Sequence, residues 1–467
     1  MRTSKKIISP ILLLLSLSVF AASPATIFAQ GMPPLVQAAK DGDWEGTRSL
    51  LSGQVDIEAV YGDGTSALHW ASYHNNVQIA QQLIAAGIDV NSATDLGVTA
   101  LWLAAENGSD EMALALLEAG ANPNADLLSG ETLIMTAAHT GNATLLRALL
   151  AAGASPQGAV TRGQTALMWA AGQGHDDVLA VLLDFGADVE ARTLIRTQFV
   201  KSEKEQDSHP VNMHWVEQGG NTALMFAARS GSLRSAQLLL SAGADVNGLS
   251  AFGTSPTIMA VHGGNTELLQ FLLQSGANIN DSSSGHTALH AAILRGSYEA
   301  VEILLNHGAD IEALLEKPTP ARRQSTDYNF HDSLLGATPL WLAARFTEPD
   351  IMSLLLARGA DPFFVKDVSY PTLRSMEPVI AEEGNISVLM AAVGMGYRRL
   401  RMSWGSVERR AGILGNDREA RILQAVQVAV NAGVDSNLQN AAGVAARDFA
   451  RSRRYEEVTA FLDIVGR

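Results

Sequence analysis

The stretch Gly97–Ser129, "GVTALWLAAENGSDEMALALLEAGANPNADLLS", decides how this chain is read. A glycine opens it, which permits the positive φ of a tight turn. Thr99 follows two residues later, where its hydroxyl can accept the free N–H groups of a starting helix. Leu101-x-x-Ala104-Ala105 then keeps one helical face narrow, so a neighbouring helix can approach closely. Leu116 and Leu117 end a second helix and fill the space between layers, and Gly120 stands where a helix is terminated at its C′ position. Such a pair buries no face by itself. It needs copies stacked on both sides.

The copies are present. "GTSALHWAS", "GETLIMTAA", "GQTALMWAA", "GNTALMFAA", "GHTALHAAI" and "GATPLWLAA" begin at Gly64, Gly130, Gly163, Gly220, Gly285 and Gly336, and the steps 64 to 97, 97 to 130 and 130 to 163 are each 33 residues. More degenerate units start at Gly31, Gly253, Gly384 and Gly443, making eleven, of which the last, "VAARDFARSRRYEEVTAFLD", is more polar and reads as a terminal cap.

This pattern resembles the ankyrin repeat, whose period and T-P-L-H-x-A motif are matched at Thr338-Pro339-Leu340 and, with alanine for proline, at "SALHWA" and "TALHAA". The resemblance implies an all-α ankyrin repeat solenoid of about eleven helix-turn-helix units over residues 30–467, joined by finger turns. It also implies that His69 and His290, in the histidine slot of the motif, orient neighbouring finger backbone. Trp102, Met135, Met168, Met225 and Trp341 share that slot, and apolar side chains cannot do a histidine's chemistry, so the slot as a whole reads as packing.

Four intervals exceed the period: 163 to 220, 285 to 336, 336 to 384 and 384 to 443, by 24, 18, 15 and 26 residues. In the first three units the distance to the glycine that ends the second helix (Gly186, Gly308, Gly359) remains 23, so both helices are intact and the excess lies in the fingers. In the fourth it falls between the two helices. Insertions are expected near 191–219, 312–335, 362–383 and 395–420, the first three along one edge of the array, where repeat insertions commonly build a binding face.

These fingers carry residues that dominate interfaces once desolvated. The first offers Phe199, His209, His214 and Trp215; the second Arg322, Arg323, Tyr328, Phe330 and His331; the third Phe363, Phe364, Lys366 and Tyr370. One reading joins them with the concave face into a recognition surface for a protein partner. The other has the aromatics folding back to cover adjacent units.

Chemistry is weakly supported. His209 and His214, with Asp207 and Glu217, stand at a spacing that matches no strong metal motif. No G-x-S-x-G, P-loop or H-E-x-x-H occurs, and the glycines are repeat punctuation. No catalytic residue, metal or cofactor is expected. Two alternatives remain: an enzyme assembled within the insertions from His209, His214 and His331, and an envelope-associated protein using the cationic insertion. That insertion carries Arg398, Arg399, Arg401, Trp404, Arg409 and Arg410, although Glu408, Asp417 and Glu419 can pair with these arginines at helical spacing.

Composition agrees with a packed array: 47% hydrophobic, 17% charged, 6% aromatic. The first residues run basic (Arg2, Lys5, Lys6), apolar (Ile7 to Ala22), then small, the order of a secretory signal peptide over residues 1–29, with cleavage after Ala29 or, in competition, Ala22 or Ala25. A secreted or periplasmic, monomeric protein without an integral membrane segment follows as the expectation. The chain has no cysteine, which excludes disulfides, thiolate metal sites and the lipid anchor of bacterial lipoproteins. Loss of the three leader cations takes the formal charge from −15 to −18, which disfavours nucleic acid.

Overall fold

The computed structural model describes residues 31–158, 162–201, 213–319, 330, 332–368, 384–396 and 417–467. Among them stand eleven helix pairs, from Pro34–Asp41 with Trp44–Leu51 to Ala446–Ser452 with Glu456–Val465. The chain divides into two compact units, the first ending at Ala121 and the second running from Asn122 to Arg467. The period does not mark this division.

In the first unit the opening stretch folds as its residues dictate. Gly97 has φ +83°. Thr99 caps helix Ala100–Glu106 by accepting the Trp102 N–H, and Ser109 caps Asp110–Glu118 by accepting that of Met112. Each such cap contributes about 1 kcal/mol. Ala100, Leu101, Ala104 and Ala105 are buried, which is the narrow face the alanines provide. His69 shows what the motif histidine does: Nδ1 accepts from the Ser66 N–H at 3.1 Å, while Nε2 donates to the Val98 carbonyl of the next finger at 2.9 Å. Burial holds this ring below its ordinary pKa, so it stays a neutral donor and acceptor.

The second unit repeats this scheme, and with it a ladder, present in the first unit as Asn91 to the Gly120 carbonyl and Asp89 N–H to Glu58, that ties successive repeats together. Asn124 donates to the Gly153 carbonyl and accepts from the Ser155 N–H; Gln157 does the same with Gly186 and Asp188. The ladder crosses the long fingers. Glu190 accepts from Asp245 N–H, and Glu312 from Asp361 N–H, both at 2.8 Å. The first two insertions therefore leave the helix stacking beneath them in register.

Two of the fingers are β-hairpins. β1 (Arg196–Lys201) pairs antiparallel with β2 (Met213–Gln218), and β3 (Val365–Val368) with β4 (Gly384–Ser387). The fourth insertion lies between helix Val388–Ala392 and a helix Asp417–Asn431 of 15 residues, longer than the 9-residue second helices of most units. Residues 417–420, expected within that insertion, are its first helical turn. Asp and Arg at the start of a long apolar-striped segment extend the helix backwards.

Candidate recognition surface on the long fingers

The first finger is bolted down at its base. Thr193 N–H donates to the Asn221 carbonyl at 3.0 Å and Gly220 N–H to the Thr193 carbonyl at 2.9 Å, continuing the β1–β2 register. Both flanks are tied to neighbouring fingers: Leu194 N–H reaches the Arg162 carbonyl at 2.9 Å, and Ala251 N–H the Gly219 carbonyl at 3.0 Å. Arg192 Nη1 adds the Leu249 carbonyl at 2.6 Å.

Strand alternation then separates two faces. Phe199 and Trp215 are cross-strand partners on one face, with ring centroids 4.8 Å apart and planes 37° off parallel. They are 50% and 70% exposed, a large unpartnered aromatic area for a two-stranded ribbon. His214, one residue on, points to the other face, where its Nε2 meets Asp332 Oδ1 at 3.0 Å. Asp332 belongs to the second finger, and its side chain is only 11% exposed. The hairpin is thus seated on the second finger by one face and presents its aromatics with the other.

The second finger closes on itself. Leu315 N–H donates to the Ala337 carbonyl, Gly336 N–H to that of Leu315, and Thr319 and Phe330 exchange two bonds, the Phe330 N–H going to Thr319 Oγ1 at 2.6 Å. This places Phe330 in the core, with no exposed surface, 5.2 Å from the His286 ring. Phe330 is therefore not part of an outward surface as expected from sequence. Its ring buries more favourably against the histidines of its own unit than in water.

In the third finger the alternation of β3 turns Lys366 and Val368 inward and leaves Val365 and Asp367 outside. Phe363, 63% exposed, lies beside Gly433, and Phe364 is half-buried. The inward Lys366 is 5% exposed, donates to the Asp367 carbonyl and stands 5.7 Å above the Trp341 ring. Burial pushes its ammonium down to about 8 from 10.5, with Asp367 opposing. The unfolded chain then holds the proton more tightly, so the folded state is penalised in full below pH 8 and the penalty fades as pH rises towards 10.5. Lys366→Met is expected to stabilise the chain at pH 7 by about 1 kcal/mol in denaturant unfolding, the gain shrinking by pH 10.

Arg322, Arg323, Tyr328, His331, Tyr370 and His209 lie outside the described residues, as do Arg398, Arg399, Arg401, Trp404, Arg409 and Arg410. Of the histidines invoked for catalysis, only His214 is described, and Asp332 engages it. Among the described residues no cluster of three or more His, Asp or Glu has a metal-holding arrangement, and no helix is long and apolar enough to cross a membrane.

Two features escaped sequence reasoning. Exposed apolar residues concentrate on the fingers: among the described residues of the second unit, nine of thirteen large ones (Leu128, Leu194, Ile195, Phe199, Trp215, Leu314, Phe363, Val365 and Leu438) lie there. A further row runs along the first helices, where Trp169, Phe226 and Met259, six residues after Gly163, Gly220 and Gly253, are all half-buried. The period itself carried that signal.

Models of the ankyrin repeat match residues 35–127, 124–193, 224–314 and 335–367, together more than half the chain. The matches stop at 193 and 314 and resume at 224 and 335, leaving the first two long fingers outside them. No curated protein sequence matches the chain. The crystal structure of the human ASB11 ankyrin repeat domain is similar at 24% identity, covering 53% of this chain and 99% of that one, with a TM-score of 0.42. By its repeats the chain belongs to the ankyrin repeat family.

Proposed function

We propose that this protein is a non-enzymatic recognition scaffold of a secreted or periplasmic compartment, and that it holds a protein partner on the finger edge of its second unit. Ankyrin repeats are in general protein–protein interaction modules, which supports the class of function. The observation that carries the site is the Phe199–Trp215 pair, exposed on a hairpin whose opposite face is fixed to Asp332. A rigid aromatic pair loses little conformational entropy on binding and desolvates a large area. The half-buried row of Trp169, Phe226 and Met259 on the first helices would extend the contact onto the concave face. Export is supported by the basic, apolar, small order of residues 1–29.

The test is a Phe199→Ser, Trp215→Ser double variant. Both side chains are exposed, so unfolding stability is expected to stay within about 0.5 kcal/mol of the parent. The partner captured by the parent from the exported fraction should bind the variant at least about a hundredfold more weakly in a titration of the purified pair. Equal affinity for parent and variant overturns the assignment of this site.

A further inference from the structure

A cluster of histidines lies beneath the second finger. His286 is fully buried, with the His262 ring 6.2 Å away on one side and Phe330 5.2 Å away on the other. His290 is also fully buried, 6.3 Å from Phe330. His286 Nδ1 meets Ser284 Oγ at 3.2 Å, but its Nε2 is sealed from solvent with no hydrogen-bond partner. Both ring nitrogens of His290 are in use: Nδ1 accepts from the Thr287 N–H and Nε2 donates to the Ala313 carbonyl, each at 3.1 Å. The pocket therefore takes neutral imidazoles and has no acceptor in place for an added proton on His286.

Phe330 closes this pocket, and Asp332, two residues on, receives His214 from the aromatic hairpin. The residue that packs on the buried histidines and the residue that seats the Phe199–Trp215 hairpin thus stand two positions apart in the chain. We propose that this arrangement is an acid-operated release, in which a proton on His286 or His290 expels Phe330 from its pocket, Asp332 moves with it, and the hairpin loses its seat. The consequence for binding rests on the recognition reading above; the release itself does not.

The surrounding charges bear on the direction. His262 on helix Pro256–Gly263 and the neighbouring histidine both disfavour a cation at His286, while Asp310 favours one at His290. Arg295, at the end of the His290 helix, donates to the His262 carbonyl; Lys317 lays its stem over Gly285; Asp281 is bonded to Ser283. Arg345 closes helix Pro339–Arg345, which packs on the same helix. Burial is the largest cause at both rings, reinforced at His286 by the two histidines and opposed at His290 by Asp310, and it holds His286 down at about 3 and His290 at about 4, against 6.5 when free. The open state consequently binds more protons than the closed one between pH 6.5 and these values, so closure is fully stable above 6.5 and weakens as pH falls through that window. The contact of His214 Nε2 with Asp332 Oδ1 at 3.0 Å is not itself the proton-sensitive element. Release therefore has to act by moving Asp332 rather than by weakening its bond.

Amide hydrogen exchange on the full chain, corrected for intrinsic rates, tests the release between pH 7.5 and 4. The Leu315, Thr319 and Gly336 amides and those of β2 are expected to lose protection by about tenfold or more, while helix Ala166–Gln173 keeps its own. In His286→Phe the same loss should move down by about one pH unit. Phe330→Ala should expose these amides already at pH 7.5. Fingers that stay protected to pH 4, or that open only together with the whole second unit at one midpoint, overturn the proposal, and these two results need only the parent chain. No partner takes part in the measurement, so its failure is distinct from a failure of the recognition site.

Discussion

A Gly219→Ala chain is expected to lose the seat of the aromatic hairpin while keeping its helices. Gly219 has φ +107°, a conformation open to glycine and strained for other residues. A Cβ there would run into the Leu194 carbonyl oxygen and stand 2.8 Å from its carbon, both backbone atoms of a residue whose own N–H is tied to the Arg162 carbonyl. Neither can step aside without breaking the base of the hairpin. The combined strain and clash should cost more than about 3 kcal/mol locally, more than an isolated two-stranded ribbon can absorb. Gly153→Ala is the matched control, since Gly153 also has positive φ (+95°) but meets nothing within 4 Å. It should cost about 1 kcal/mol and leave the fingers intact. Exchange protection at Leu194, Gly220 and Ala251, with Trp215 emission as a second probe, reads the difference. Wild-type protection at those amides in Gly219→Ala would show that the base is not the hairpin's anchor.

The helix pairs were legible because each carries its own signal: a leading glycine, a capping Ser or Thr, a Leu-x-x-Ala-Ala face and a closing glycine recur in phase. The sites of insertion were legible for the same reason, as departures from that phase. What the insertions do locally was not. "TQFVK" and "MHWVEQ" alternate in the manner of strands, yet pairing Phe199 with Trp215 needs a register set by Thr193 and Asn221 at the base, outside either run. Phe330 looked equivalent to Phe199 in composition. Their opposite fates, one buried and one exposed, come from what lies beneath each finger, and the pocket of His286 and His290 is built from residues distant in sequence. The division after Ala121 left no trace in the spacing at all.

Trp341 shows where the sequence reading of a single slot fell short, and it gives the largest expected loss of stability. The slot was read as packing because tryptophan cannot act as an acid, base or ligand in histidine's place. In the second unit it nevertheless does the part of the histidine's work that matters: Trp341 Nε1 donates to the Ile386 carbonyl at 3.0 Å, as His69 Nε2 donates to Val98 and His290 Nε2 to Ala313. At this position a fixed indole N–H holds the next finger as an imidazole does elsewhere, whereas Trp102, in the same slot of the first unit, leaves its buried Nε1 without a partner. Trp341 is also 1% exposed, its indole lies under the Lys366 ammonium, and the carbonyl it serves belongs to β4. Trp341→Ala therefore removes a buried ring, takes a donor from a buried carbonyl and strips a buried cation of its aromatic neighbour. A loss of about 4 kcal/mol is expected, with β3 and β4 opening first. Trp341→Phe separates the parts, because it keeps most of the packing and the ring face but not the N–H. It should cost about 1–2 kcal/mol, the share of the hydrogen bond. Denaturant unfolding of the two variants, with exchange at Ile386 and Lys366, decides the matter: if Trp341→Phe proves as stable as the parent, the slot is packing after all and the donor to the next finger is incidental.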